Sequence, residues 1–465
     1  MEDNSSFIWY LSVWIVAAGI VFFLQLRKGS TGSGLSLAYL LNLWIIHWVA
    51  SALYALPQYS YYDSNIVFAG LEQSAYAVVA FSAGYLMLTF ASRRSSLRQL
   101  ADDKPQAPDK RPQISDARLT DLYIGIGAAC FLLGISELGN LPTATSLITG
   151  ASNLAVVGLM LKSWRAWQSG KRKSFLFWVS VSSAYPLLTV ITQGFIGYGL
   201  FSTIMVFTFV ARFYRPRWKL VILGLAAVYL GLSLYVTYMR DRGVIRDIVW
   251  GEESYGSRID QLKDTLSQAE FFDINNDEHL ERIDRRLNQN ALIGAAARYI
   301  ESGRQDFANG ETLLDAMIAL IPRVFWSDKS VTAGSGDLVA KYTGYNFAEG
   351  TSVGVGQVME FYINFGQWGV IIGFLILGCV IAWIEKGAGK SLAENDWLTF
   401  ACWYLPGAAF LQVGGSFVEV TASAAASLVV AITVKCLVSL VWRCEIGKQY
   451  RSLVKFERLP KLERY

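Results

Sequence analysis

Histidine is almost missing from this chain: only His47 and His279 occur among 465 residues. They lie far apart in the sequence, so no His cluster and no Cys/His spacing suits a zinc centre. The five cysteines, Cys130, Cys379, Cys402, Cys436 and Cys444, all fall in or beside apolar runs. A disulfide framework is therefore not expected. Serine hydrolase elbows and P-loops are absent as well. No basic segment precedes the first apolar run, which reads as a retained span and not a cleaved signal. The spacing of Asp273, Asn275 and Asp277 is rich in oxygen but lacks the full calcium-loop pattern, and it reads as a solvated loop. The expected metal and cofactor set is none.

Apolar sequence is abundant. Hydrophobic residues make up 53% and charged ones 17%, more apolar chain than one soluble core requires. Runs of the roughly 20 residues needed to cross a bilayer occur at 8–24, 35–56, 66–90, 122–138, 144–161, 175–192, 195–211, 220–238, 368–384, 397–413 and 418–442. The expected fold class is an all-α polytopic membrane protein of about 11 transmembrane helices. The run at 144–161 is the least apolar of the set. Arg and Lys mark alternate short loops: Arg27 and Lys28; Arg93, Arg94 and Arg98; Lys162 to Lys173; Arg212 to Lys219. Since cytoplasmic loops carry the basic residues, the N-terminus is expected outside and the C-terminus in the cytoplasm.

The chain divides accordingly into a transmembrane part, 1–239, with a Pro-containing cytoplasmic linker at 93–120; a long external insertion, 240–363; spans at 364–442; and a basic cytoplasmic tail, 443–465. From Arg240 to Glu360 there are 13 Arg plus Lys against 20 Asp plus Glu, which leaves 28 and 17 elsewhere. The insertion is acidic and the rest basic, a split that nucleic-acid binding does not explain. Apolar residues at helical spacing, such as Leu280, Ile283 and Leu287, predict amphipathic helices lying against the membrane face.

Several groups in the insertion suit an anionic ligand. Arg240 and Arg242 arrive as a span leaves the membrane, against the usual distribution of charge, and guanidinium groups match phosphate in bidentate fashion. The plain alternative is a helix end that snorkels to the headgroups. The segment 316–329 is an apolar helix stopped at Pro322 and followed by Arg323, Trp326 and Lys329, either a headgroup or diphosphate site or an interfacial anchor. A glycine-rich run then leads to Gln357, Glu360, Tyr362 and Asn364. A carboxylate at the mouth of a span is costly unless it faces a wet cavity, which makes Glu360 the leading acid/base candidate, with His47 second.

The run Ile321-Pro322-Arg323-Val324-Phe325-Trp326-Ser327-Asp328-Lys329, and the later Gly356-Gln357-Val358-Met359-Glu360-Phe361-Tyr362-Ile363-Asn364-Phe365-Gly366-Gln367-Trp368-Gly369, together with the span layout, resemble the bacterial oligosaccharide repeat-unit polymerases, the Wzy-type O-antigen and exopolysaccharide polymerases related to the O-antigen ligases. One departure is the turn Thr192-Gln193-Gly194-Phe195, where many relatives carry an arginine. The resemblance implies a GT-C-like fold with a long helical periplasmic loop in the bacterial cytoplasmic (inner) membrane. It implies a glycosyltransferase that moves a glycan from polyprenyl diphosphate to an acceptor repeat unit. Arg240, Arg242, Arg298, Arg323 and Lys329 would bind the diphosphate, Glu360 or His47 would act as base, and Trp326, Gln357, Tyr362 and Asn364 would touch glycan or lipid. Partners would be lipid-linked oligosaccharides and membrane lipids, with a flippase and a chain-length regulator alongside. The alternatives are a transporter or flippase of lipid-linked or anionic substrates, and a non-catalytic membrane subunit of a polysaccharide assembly complex.

Overall fold

In hydrocarbon every backbone N–H and C=O must be satisfied within its own segment, which for this composition leaves the helix as the available element. The computed structural model describes residues 4–27, 32–56, 59–102, 116–136, 142–214, 218–321, 326, 335–347 and 353–457. Every element among them is helical. The first part comprises α1 (Asn4–Leu26), α2 (Leu35–Leu43), a π-helical turn (Trp44–Trp48), α3 (Val49–Ser51), a 3-10 turn (Ala52–Ala55), α4 (Ser64–Asp102), α5 (Asp116–Gly134), α6 (Pro142–Gln168), α7 (Arg172–Ser182), α8 (Tyr185–Gln193), α9 (Ile196–Phe213) and α10 (Trp218–Trp250). The insertion carries α11 (Tyr255–Ser267), α12 (Asp277–Leu287), α13 (Gln289–Glu301), α14 (Glu311–Ala319) and α15 (Ser335–Thr343). Helices α16 (Gln357–Ala393), α17 (Trp397–Ala409) and α18 (Phe417–Glu457) complete the chain.

Among the described residues nine helices are long and apolar enough to cross a membrane, and the chain is a multi-pass membrane protein. The weakly apolar run at 144–161 lies in one of them, Thr145–Gln168. The runs at 220–238 and 397–413 are not among the nine. The first lies in α10, where side chains before Gly224 are outside the described residues. The second forms α17, 13 residues long with Pro406 inside it, or about 20 Å at 1.5 Å per residue, short of a ~30 Å hydrocarbon layer. The linker expected at 93–120 is also narrower, because α4 continues to Asp102 and α5 starts at Asp116.

Glycines let the central helices touch backbone to backbone. A Cβ on Gly84 would overlap the Leu375 carbonyl and one on Gly378 the Phe81 carbonyl, so α4 and α16 cross at a point with no side chain between them. The insertion uses the same device. A Cβ on Gly70 would overlap the Asn290 carbonyl and one on Gly294 the Ile66 carbonyl, which seats α13 directly on α4. Ile293 and Ala296 of α13 are fully buried and belong to the main hydrophobic core. Helices lying on the membrane face were expected; α11 is largely exposed, but α13 is a member of the bundle. We expect Gly294→Val to lower stability by about 1–3 kcal/mol or more, as overpacking does. Gly125→Val, where a Cβ meets no atom within 4 Å, is the control. Thermal midpoints of the detergent-solubilised proteins test this, and equal midpoints would refute the tight crossing.

Two carboxylates on α16 each hold the start of another helix. Glu385, 3% exposed, accepts from Ser33 N (3.2 Å), Gly34 N (2.8 Å), Ser36 N (3.2 Å), the Ser36 hydroxyl and Gln25 Nε2 (2.6 Å). It thus fills the N-terminus of α2, whose unpaired N–H groups favour an anion. Arg212 bonds the Gln25 carbonyl and side-chain oxygens beside it. These contacts gather the α1–α2 connection, the end of α9 and the far part of α16 at one end of the bundle. Glu360 does the equivalent at the other end, with the insertion.

Candidate functional site

Glu360 is fully buried. Its Oε2 accepts from Phe417 N at 2.7 Å, capping α18, while Oε1 is buried without a hydrogen-bond partner. Its neighbours on the motif are equally buried, and each has a structural partner. Gln357 accepts from the Tyr39 hydroxyl (2.6 Å) and donates to the Phe410 carbonyl (3.1 Å). Asn364 accepts from Gly310 N (2.9 Å) and donates to Thr312 Oγ1 and to the Glu360 carbonyl (2.7 Å each). The helix breaks immediately after it, at Phe365 (φ −141°) and Gly366 (φ 62°), a positive φ that glycine adopts at little cost. Asn364 therefore closes the break, and the Gln357–Glu360–Asn364 stripe faces protein. Tyr362 is 7% exposed and sits by Phe307; Trp326 is 47% exposed. Arg323 and Lys329 lie outside the described residues.

His47 occupies the π-helical turn. Asn290 Nδ2 donates to the His47 carbonyl (2.8 Å) and to Ser51 Oγ (2.7 Å), so its Oδ1 is the acceptor for His47 Nδ1 (2.8 Å). That fixes the hydrogen on Nδ1 and leaves Nε2 as a buried acceptor without a partner. The pair joins the membrane bundle to α13.

The expected phosphate-binding arginines separate into two kinds. Arg240 is held by Asp241 (2.8 and 2.9 Å), Glu270 (2.7 Å) and the Gln268 carbonyl (2.8 Å). Glu270 also takes Arg282 (2.9 Å) and His279 (3.1 Å). Partial burial pushes the Glu270 carboxyl up, but hydrogen bonds from Arg240, Arg282 and His279 hold it below the usual range. Arg298 pairs with Asp63 at 2.8 Å on the surface. Asp273 accepts from Asn275 N within its own turn, and no group of three His, Cys, Asp or Glu suited to a metal occurs among the described residues.

Arg242 is of the second kind, and it has company. Arg246, one helical turn further along α10, lies 4.2 Å from the Phe195 ring centre and 5.1 Å from that of Trp250. It covers the turn at Gly194, whose carbonyl accepts from Tyr238 (2.8 Å). Arg286 of α12 completes the group from the other side. None of the three forms an ion pair with a described carboxylate. Burial, then the charge of Arg246, pulls the Arg242 guanidinium below its ordinary value. Burial lowers Arg246 likewise, with Arg286 adding to the effect. The Tyr238 side chain hydrogen-bonds both Arg242 and Arg246, and like charges within reach of one another are unfavourable without an anion among them.

Tyr198 lies within electrostatic reach of both Arg246 and Glu419. Glu419, on the first turn of α18, accepts from Ser335 Oγ (2.9 Å) and Ser416 N (3.3 Å). Its charge in turn reaches Glu360, as does that of Asp315. The arginine group and its aromatic frame lie about the α8–α9 turn, and the two carboxylates at the start of α18. A family model described as a domain of unknown function, DUF8712, matches residues 47–396, more than half of the chain. The chain belongs to the DUF8712 family. No curated protein and no solved structure matches it. The DUF8712 match takes in His47, Arg242, Arg246, Arg286 and Glu360 and stops short of Glu419.

Arg246, Arg286 and Glu419 were missed in the sequence. The signal for Arg246 was present, since it follows Arg242 by four residues and so shares its helix face. Nothing local pointed to Arg286 or Glu419, which arrive from other helices.

Proposed function

We propose that the protein is a membrane glycosyltransferase that polymerises lipid-linked oligosaccharide repeat units, moving a glycan from a polyprenyl-diphosphate donor to an acceptor repeat unit in the assembly of a surface polysaccharide. The observation that carries this reading is the group of Arg242, Arg246 and Arg286, none of them ion-paired with a described carboxylate, with Arg246 set against Phe195 and Trp250. In the reaction an acceptor hydroxyl attacks the anomeric carbon of the donor. The bond from that carbon to the diphosphate oxygen breaks, and its electron pair leaves with the diphosphate. Fixed guanidinium groups stabilise that developing charge without reorganisation. The hydroxyl proton passes to the carboxylate pair at the head of α18. The turn at Gly194, which lacks the arginine of the polymerases it resembles, receives one from Arg246.

The remaining parts of the reading are a GT-C-like arrangement, a bacterial inner membrane with the insertion in the periplasm, and assembly alongside a flippase and a chain-length regulator. The three arginines supply the charge that a metal would otherwise bring, so chelator is expected to leave the activity intact. Purified protein in vesicles, given lipid-linked repeat units alone, should produce a ladder of longer glycans. A single unextended species under these conditions would sink the reading.

A further inference from the structure

From Gly224 onward, helix α10 is held to the rest of the molecule by its outer part. Tyr238, Ile245 and Val249 pack with Val190 near the α8–α9 turn, and α11 and α12 lean on the same outer stretch. Every residue of 224–231, by contrast, is exposed, and a Cβ on Gly224 or Gly231 would meet nothing within 4 Å. Leu225, Val228, Tyr229 and Leu230 present bare apolar side chains. A stretch that is apolar and exposed on every side, as 224–231 is, is bathed in lipid, so a lipid chain fills the space beside it.

One face of that helix is distinguished by charge. Counting back from Arg246 and Arg242 at spacings of three and four gives Tyr238, Tyr235, Gly231, Val228 and Gly224, all within an arc of about 80° at roughly 100° per residue. The arginines stand on the same face as a smooth strip made by two glycines and a valine, with Tyr235 and Tyr238 between them. On the opposite face, Tyr229 and the segment 271–274 line a second groove. Asp273 stands at its edge, and a carboxylate there repels phosphate. Charge complementarity therefore selects the glycine face.

We propose, resting on the transferase reading above, that the polyprenyl chain of the donor lies along the Gly224–Val228–Gly231 face of α10 and enters sideways from the bilayer, with its diphosphate against Arg242, Arg246 and Arg286. The lone helix thus forms one wall of the donor's entrance. A bulky side chain on that wall would block the chain and leave the diphosphate contacts in place.

The test measures binding of a long-chain polyprenyl diphosphate and of farnesyl diphosphate to the full-length protein in phosphatidylcholine nanodiscs. Wild type is expected to hold the long chain at least about tenfold more tightly, a difference of about 1.4 kcal/mol. Gly231→Trp should abolish that preference while farnesyl diphosphate binds as before, and Ala226→Trp, on the opposite face, should keep it. Because Gly231 touches nothing, the variant has no packing to lose; Gly224→Leu repeats the block one step deeper. A preference undiminished in both Gly231→Trp and Gly224→Leu overturns the assignment, as does displacement of the long-chain ligand by equimolar phosphatidylglycerol. If wild type binds with the expected preference but extends no glycan, the transferase reading fails and the chain site stands. If wild type binds neither diphosphate, both fail.

Discussion

Arg246→Ala is expected to lower glycan transfer by about 10²- to 10³-fold, the usual cost of removing one fixed donor from a developing anion, while expression and membrane insertion stay normal. Its side chain rests on Phe195 and Trp250, and its Nε is buried without a partner, so the group is oriented before any ligand arrives. Arg246→Lys should recover little, because a compact ammonium cannot reproduce a planar, bidentate contact stacked on a ring. Arg240→Ala and Arg298→Ala are the informative comparisons. The structure commits Arg240 to Asp241 and Glu270, and Arg298 to Asp63, so Arg240→Ala should loosen the insertion and Arg298→Ala should change transfer by less than about threefold, as exposed pairs contribute little. Initial rates of chain extension, measured beside thermal midpoints, separate the two effects. Full activity in Arg246→Ala would remove the arginine group from the site.

The spans were legible because crossing a bilayer imposes one simple demand, a long apolar helix, and the runs in the sequence meet it. The demand fails to predict α17: its composition is apolar enough, but Pro406 and the turn through Gly414 and Gly415 end it early, and that depends on where Gln357 donates and Val413 accepts. The amphipathic face of α12 was equally readable from Leu280 and Ile283. The face of α13 was readable too, from Ile293, Ala296 and Ile300, but its seat was not, since Ala and Gly say that something approaches closely and give no hint that it is Ile66 and Gly70 of α4. The candidate site divides along the same line. Sequence counts cations, whereas pairing is tertiary; Asp241 sits next to Arg240 in the chain, but Glu270 comes from thirty residues away. Gln357, Glu360 and Asn364 were named from the sequence, but their polarity serves the backbone groups freed by the break at Phe365 and by the α17–α18 turn.

Glu360→Gln is expected to fold and to bind donor, yet to leave the lipid-linked repeat unit unextended, a loss of about 10²- to 10⁴-fold as for a general base. The amide carbonyl can still accept from Phe417 N, so α18 keeps its cap, and only the second, unpartnered carboxylate oxygen is lost. Glu360→Ala removes the cap as well and should lower stability by about 1 kcal/mol in addition. Comparing the two variants separates chemistry from support: Glu360→Gln must fall in rate at an unchanged thermal midpoint. Glu419→Gln completes the set, because Glu419 is the more exposed of the pair and lies within electrostatic reach of Tyr198. If Glu360→Gln extends chains normally while Glu419→Gln does not, the proton goes to Glu419 and Glu360 only holds α18 in place. If both extend chains normally and His47→Ala does not, the base is His47, whose open Nε2 is the remaining acceptor, and the carboxylate assignment is wrong.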